Sequence, residues 1–245
     1  MSWKANINQY LENRLSESSF SRLSAVLSSS KTLYRKLCYP YGRYLKTPWK
    51  RWQNSSRSNR QLEIGPGPER IDGFETANVV WAPHVDYVVD ASRSLPFGDG
   101  SFNTVYASHI LEHTPWYRHR EVIREWVRIL ASGGKLEIWV PDGLKVARSF
   151  VAAEDGLDKS FHQDGWWKFN EEQDPCLWFN GRTFSYGDGT GRLADPNWHL
   201  SLFSARYLHK LLAEAGLEQI QPLSSADVRG HDHGWINLGA SGVRP

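Results

Sequence analysis

The apolar positions along this chain keep two rhythms. Near the N-terminus they recur at helical spacing, at Ile7, Tyr10, Leu11 and Leu15, then Leu23, Val26 and Leu27, then Leu33 and Leu37. After residue 60 short apolar runs alternate with longer striped segments. Gln61–Ile64, Thr76–Val80, Val85–Val89, Phe102–Ala107 and Leu136–Val140 read as strands, and Ile220 with its neighbours and Trp235–Leu238 read as two more. Between them, Thr114 is placed to cap a helix, with Pro115 in its first turn and a stripe at Val122, Ile123, Trp126, Val127 and Leu130. Gly133-Gly134 is expected to end it. A later helix is capped by Ser204, carries Leu208, Leu211, Leu212 and Ala215 on one face, and stops at Gly216. The order predicts an α/β fold: a Rossmann-like, doubly wound, mainly parallel seven-stranded sheet. A helical N-terminal extension precedes it, and an insert rich in aromatics follows strand five. The expected division is 1–60 for the extension and 61–245 for the sheet domain, with 143–198 as an acceptor-side lid.

Charge sharpens that division. Residues 1–60 carry a net +10 and residues 61–245 a net −8, which cancel to +2 overall. A basic arm on an acidic body calls for an anionic membrane surface or a protein partner, met through residues 1–55, or for packing within a homo-oligomer. The segment "YRKLCYPYGRYLKTPWKRW", residues 34–52, interleaves Tyr and Trp with Arg and Lys, as headgroup-binding segments do. Nucleic acid is the weaker candidate because the body has no matching basic groove. "NSSRSNR", residues 54–60, reads as a polar linker. No apolar run is long enough to span a bilayer and the N-terminus lacks a secretory core. Cys38 and Cys176 form no metal pattern and read as reduced thiols. The expected setting is cytoplasmic, with peripheral contact at the inner face of the membrane.

The turn after the first strand, "LEIGPGPER", bears on the ligand. It has no Lys-Ser/Thr to follow its glycines, so it is not a P-loop. The third glycine of a dinucleotide fingerprint is replaced by Arg70, and no acid closes the second strand for a ribose diol. S-adenosylmethionine, which has no phosphates, needs backbone close to its amino-acid end and polar groups for ribose and adenine. Glu63, Asn78 and Asp90 stand near the ends of strands one, two and three.

Residues 62–142 resemble class I S-adenosylmethionine-dependent methyltransferases of the type 11 group. The resemblance is carried by "LEIGPGP", "VVDASRSLPFGDGSFNTVYASHILEH" and "REVIREWVRILASGGKLEIWVPD", and "HLSLFSARYLHKLLAEAGLEQIQ" is similar to the family's end. It implies that Glu63, Gly65, Pro66 and Gly67 surround the methionine end of the cofactor. Asn78 would meet the ribose, Asp90 and Ala91 the adenine, and Ser108 and His109 would line the cofactor after strand four. The family usually has an acid where Asn78 stands.

On the acceptor side, methyl transfer to a hydroxyl asks for alignment and for a group to take the proton. His113 after strand four, Asp142 after strand five and His199 before the late helix are the candidates. Glu112 reads as a capping or pairing residue. His231 and His233 in "HDH" would share one face of a strand, and no metal site is expected from two ligands. The insert holds ten aromatics, among them Phe161, Trp166, Trp167, Phe169, Trp178, Phe179, Phe184, Tyr186 and Trp198. Asp164, Asn170, Asp174, Asn180, Arg182 and Asp188 lie between them. Such a lid suits a carbohydrate, with a few rings on the ligand and the others buried. The reading is a methyltransferase that O-methylates a sugar or cell-surface glycan (polysaccharide) intermediate. The alternatives are lipid or natural-product acceptors, or a non-catalytic binding module recruited through the arm.

Overall fold

The computed structural model describes residues 33–34, 36–157, 169–187, 189, 191–193 and 195–245. The helical spacing proposed before Leu33, and Phe161, Asp164, Trp166, Trp167 and Asp188 of the insert, lie outside the described residues.

Seven strands form one sheet: β1 (Gln61–Ile64), β2 (Glu75–Asn78), β3 (Tyr87–Val88), β4 (Phe102–Ser108), β5 (Leu130–Pro141), β6 (Glu218–Leu223) and β7 (Asn237–Val243). Their order is β3-β2-β1-β4-β5-β7-β6. The first five strands are parallel, and β7 runs antiparallel to both β5 and β6. The winding reverses between β1 and β4, so a crevice opens beyond the carboxyl ends of those two strands. The fold class read from the sequence is the one observed.

Among the described residues, the sheet is accompanied by α1 (Thr47–Asn54), α2 (His119–Arg128), α3 (Gly143–Glu154), α4 (Pro175–Phe184) and α5 (Ala205–Glu214). The stripe Val122, Ile123, Trp126 and Val127 of α2 is buried against the sheet, in one core with Leu62, Ile64, Val105, Leu136 and Ile138. Leu208, Leu211 and Leu212 of α5 join it. Ser204 caps α5 as expected, its side chain accepting from the Tyr207 N–H at 3.4 Å.

Three local expectations are corrected. Thr114 does not cap α2. Its hydroxyl donates to the Leu111 carbonyl at 2.7 Å, and a short 3-10 turn at Trp116–Arg118 intervenes before the helix. Gly133-Gly134 does not end that helix, which stops at Arg128; Leu130 already opens β5. The two glycines sit in an irregularity of β5, where register against β4 shifts between Phe102 and Thr104 and Gly133 takes a φ of +73°. His231 and His233 lie on the loop before β7 and not on a strand.

The stretch before β1 is no free linker. Asn54 is buried and donates to Glu75 Oε2 at 3.1 Å and to the Tyr87 hydroxyl at 2.8 Å. Arg60 grips the same buried carboxylate through two hydrogen bonds of 2.8 and 2.9 Å, and Tyr87 donates to it as well. A π-helical turn at Tyr41–Lys46 leads into α1, and together they cover the outer edge of β3. The Val88 N–H donates to Thr47 Oγ1 at 2.8 Å, and the Val88 carbonyl accepts from Arg43 at 2.9 Å. Gly42 lies against Trp81 and Val88 with no room for a Cβ. The other face of this segment exposes Tyr44, Leu45, Trp49 and Trp52. Cys38 and Cys176 are free thiols. No helix among the described residues is long and apolar enough to cross a membrane.

Two buried polar nodes give stability predictions. Arg60→Ala leaves the Glu75 carboxylate buried without its bidentate partner, so it should cost about 3–5 kcal/mol in denaturant unfolding, whereas Arg57→Ala on the same segment should cost little. His119 is fully buried between Ser201 Oγ and Tyr207 Oη, and burial lowers its pKa to about 4. The unfolded chain binds that proton near pH 6.5 and the native one near 4. Its contribution is therefore complete above pH 6.5 and lost as pH falls toward 4. Urea midpoints across that range should fall less steeply for His119→Gln than for the parent.

Candidate active site

A cavity of about 860 Å³ occupies the crevice between the β1 and β4 ends. From β1 and its turn come Glu63, Gly65, Gly67 and Arg70. From β4 come Tyr106, Ser108 and His109, and from the 3-10 turn Leu111–His113 come Glu112 and His113. Arg182, Ser185 and His199 enter from the insert, and Arg229, His231 and His233 from the loop between β6 and β7.

The glycine turn is built for close approach. Gly65 has a φ of +73°, and its amide donates to the Ala77 carbonyl at 2.8 Å, which ties the turn to β2. A Cβ at Gly65 would run into the Ile110 side chain, while at Gly67 it would meet nothing within 4 Å. Gly67 therefore offers bare backbone to the cavity. Glu63 is buried, and its Oε2 accepts from the Ile71 N–H at 2.9 Å. Burial raises its pKa, against the opposing pull of that hydrogen bond and of Arg70.

Beyond β3, Asp90 stays accessible at 41% of its side chain. Its Oδ1 accepts from the Ser92 amide and hydroxyl at 3.0 and 2.7 Å, and its Oδ2 meets Arg93. Burial works against its charge, but these contacts outweigh it and hold the carboxyl below the usual range. Asn78 serves the turn itself, donating to the Pro66 carbonyl at 3.4 Å and accepting from the Val80 N–H at 3.3 Å. Ala91 gives its carbonyl to the Trp126 indole at 2.9 Å.

The wall opposite the glycine turn centres on Glu112, whose side chain is completely buried. His109 Nδ1 stands 3.3 Å from Glu112 Oε1, and His199 Nε2 stands 4.0 Å from the same oxygen. His113 meets His199 edge to face, with ring centres 4.9 Å apart. His113 Nδ1 lies 3.1 Å from the Trp198 carbonyl, which can only accept, so that nitrogen carries a proton and Nε2 is left for the cavity. His109 takes a φ of +54°, a conformation that aims its ring back into the site. Its Nε2 faces Asn237 Oδ1 at 2.9 Å, and His233 stacks on it at 3.7 Å. The Glu112 carboxyl is pushed up by burial, yet the surrounding imidazoles more than offset this and keep it ionised. Burial drives His199 down to about 4. Burial and the neighbouring His109 do the same to His233.

The structure thus brings Glu63, Gly65, Gly67, Ser108, His109, His113 and His199 to one cavity. Pro66, Asn78, Asp90 and Ala91 stand outside its lining. Asp142 is corrected. Its Oδ1 accepts from the Leu144 and Lys145 amides at 3.0 and 3.1 Å, so it caps α3 and does not reach the cavity. Of the insert's rings that are described, several are packing elements. Trp178 is buried and stacks with Trp235, and Phe179 stacks on Phe150. No Phe or Trp is among the described residues lining the cavity. Asp174 caps α4, and Asn170 bonds the backbone of Asp174. The sequence reading gave Glu112 only as a capping or pairing residue and Arg182 only as one polar group of the insert, and it missed Arg229. The first follows an apolar residue in "LEH", but nothing local shows that its carboxylate is enclosed.

Residues 63–138 match the model of a family described as a methyltransferase domain. Across that stretch the chain is similar to the methyltransferase domain family. S-adenosylmethionine is the cofactor of this class. The open backbone at Gly67 and the accessible acid at Asp90 fit its two ends, with Glu63 beside the first. No curated protein sequence matches the chain. Among solved structures, the CurJ carbon methyltransferase aligns at 17% identity and a TM-score of 0.42, covering 78% of this chain and 50% of that one. This chain therefore spans half that protein's length. A possible histamine N-methyltransferase from Thermotoga maritima aligns at 16% and 0.39, covering 90% and 99%. The 1,6-didemethyltoxoflavin-N1-methyltransferase of Burkholderia thailandensis, solved with its acceptor and S-adenosylhomocysteine, aligns at 15% and 0.44, covering 91% and 89%. These similarities carry no argument about an acceptor.

Two substitutions test the cofactor edge by calorimetry with S-adenosylhomocysteine. Gly65→Ala forces a side chain onto Ile110 at a left-handed φ and should weaken binding at least about tenfold. Asp90→Ala removes an acceptor beyond β3 and should cost about 1–2 kcal/mol of affinity. Unchanged affinity in folded variants would reject this placement.

Proposed function

We propose that the protein transfers the methyl group of S-adenosylmethionine to a hydroxyl of a hydrophilic acceptor, a sugar or glycan intermediate. The observation that carries this reading is the composition of the cavity wall facing the glycine turn. It carries five histidines, Glu112, Arg182 and Arg229 among apolar residues, and Glu63, Glu69 and Arg70 add charge from the turn's own side. A lipid acceptor would call for a wall without such charges, whereas here they stand among apolar residues such as Ile71, Ile110, Val146 and Ile236. Sugar hydroxyls, in contrast, can pair with such groups on every side.

Within this reading the glycine turn and Asp90 hold the cofactor, whose bound form supplies an electrophilic methyl group. The chain's own contribution is alignment on one side and proton handling on the other. The Glu112–His113–His199 cluster is the group that orients the acceptor hydroxyl and accommodates its proton. His109 and Ser108 border the space between, and Asn78 steadies the glycine turn from outside the cavity. The exposed aromatic and basic face of residues 41–54 is proposed to meet an anionic surface, at the inner face of the membrane or on a protein partner.

The test is incubation of the protein with radiolabelled S-adenosylmethionine and a fractionated extract of its source, followed by identification of the labelled product. A labelled polar glycan is the expected outcome, and label confined to the lipid fraction would overturn the sugar reading. With the acceptor in hand, His113→Ala should lower kcat by about 100-fold or more and leave S-adenosylhomocysteine affinity unchanged.

A further inference from the structure

We infer that Glu112, His113 and His199 form a binding site for one divalent transition-metal ion. This deepens the reading of the cavity as an acceptor site and rests on it only for what the ion would do there. One ligand atom from each of the three residues lies within 4.8 Å of the others. Small side-chain rotations are enough to close that spacing around an ion.

The second observation concerns what the three groups lack and what they have. Glu112 is fully buried, yet neither of its carboxylate oxygens accepts a well-formed hydrogen bond. Oε1 has the 3.3 Å approach of His109, and Oε2 has no partner. A buried carboxylate left this way is costly, and a cation beside it removes the cost. His113, by comparison, is already held as metal-bound histidines are. Its Nδ1 is fixed on the Trp198 carbonyl, which sets the tautomer and presents Nε2. His199 Nδ1 is buried close to the Arg182 backbone, with Nε2 toward Glu112.

The backbone holds the two halves in register. The Leu200 N–H donates to the Glu112 carbonyl at 2.8 Å, the Ser201 hydroxyl donates to the same carbonyl at 3.3 Å, and the His199 N–H donates to the Phe184 carbonyl at 3.0 Å. The separation of the ligands is therefore set before any ion arrives.

Two imidazoles and one carboxylate favour zinc, iron(II), cobalt or manganese over magnesium or calcium, which prefer all-oxygen sites. Three protein ligands leave a coordination position open, and all three residues line the cavity. An acceptor oxygen is the ligand that position suits, since a divalent ion makes a bound hydroxyl easier to deprotonate.

The experiment uses the full chain after chelator treatment and needs neither acceptor nor cofactor. Cobalt(II) is titrated while its visible d–d bands are followed, and zinc binding is measured by competition and by thermal shift. One equivalent should bind, with bands of a low-coordinate nitrogen and oxygen site and a raised melting temperature. His113→Ala and His199→Ala should each weaken binding at least about tenfold. Glu112→Gln, which keeps the side chain's size, should do the same. His231→Ala should leave cobalt affinity unchanged. Circular dichroism checks that each variant is folded. No saturable binding at micromolar ion would overturn the proposal, as would binding that survives His199→Ala but is lost in His231→Ala. S-adenosylhomocysteine calorimetry on the same samples reports separately on the methyltransferase reading, so either can fail without the other.

Discussion

The side of the cavity opposite the glycine turn is organised by one buried charge. Glu112 has no access to solvent, and a carboxylate in that position must be compensated within the protein. Imidazoles approach it from two places, His109 and His113 from the turn after β4 and His199 from the far side of the insert, none of them as a well-formed hydrogen bond. Each has a further anchor. Asn237 holds His109, and the Trp198 carbonyl holds His113. The Glu112 backbone carbonyl, receiving Leu200 and Ser201, fastens the insert's end to the same turn. Remove the charge and the reason for this convergence goes with it.

The sheet explains why the convergence occurs where it does. Reversal of winding between β1 and β4 leaves their carboxyl ends uncovered. The glycine turn takes one side of that opening and the histidines the other. The left-handed φ at His109 is the junction between them, since an ordinary extended continuation of β4 would carry the ring elsewhere. The antiparallel β7 contributes through Asn237, the residue at its start, so the strand that breaks the parallel pattern also supports the site.

Much of the frame was legible from the chain because it rests on local rules. Strand positions followed from short apolar runs, and Ser204 announced α5 by an ordinary capping preference. The failures share a different cause. Thr114 and Gly133-Gly134 carry valid local signals, but tertiary pairing of β5 with β4 and β7 extended a strand through both glycines. Asp142 follows a strand, as catalytic acids often do, and also precedes a helix, and the second property decides its contacts. The aromatics of the insert had the right composition for a sugar platform, yet Trp178 and Phe179 were needed to seat α4 against α3. Composition does not say which face of a ring is covered. The enclosure of Glu112 depends on residues almost ninety positions apart and leaves no mark in its own neighbourhood.

The segment just before the sheet has a meaning that its charge alone conceals. Its inner face supplies the hydrogen-bonding groups that β3 would otherwise present to solvent, with Thr47 and Arg43 standing in for a neighbouring strand. A chain shortened to begin at β1, the boundary that composition suggests, would keep every residue of the cavity and still be a different object. Its first sheet edge would be open to adhesion by any extended peptide, including another copy of itself. Protection of the sheet edge is thus carried by the inner face of these few turns, and they cannot be deleted without exposing β3.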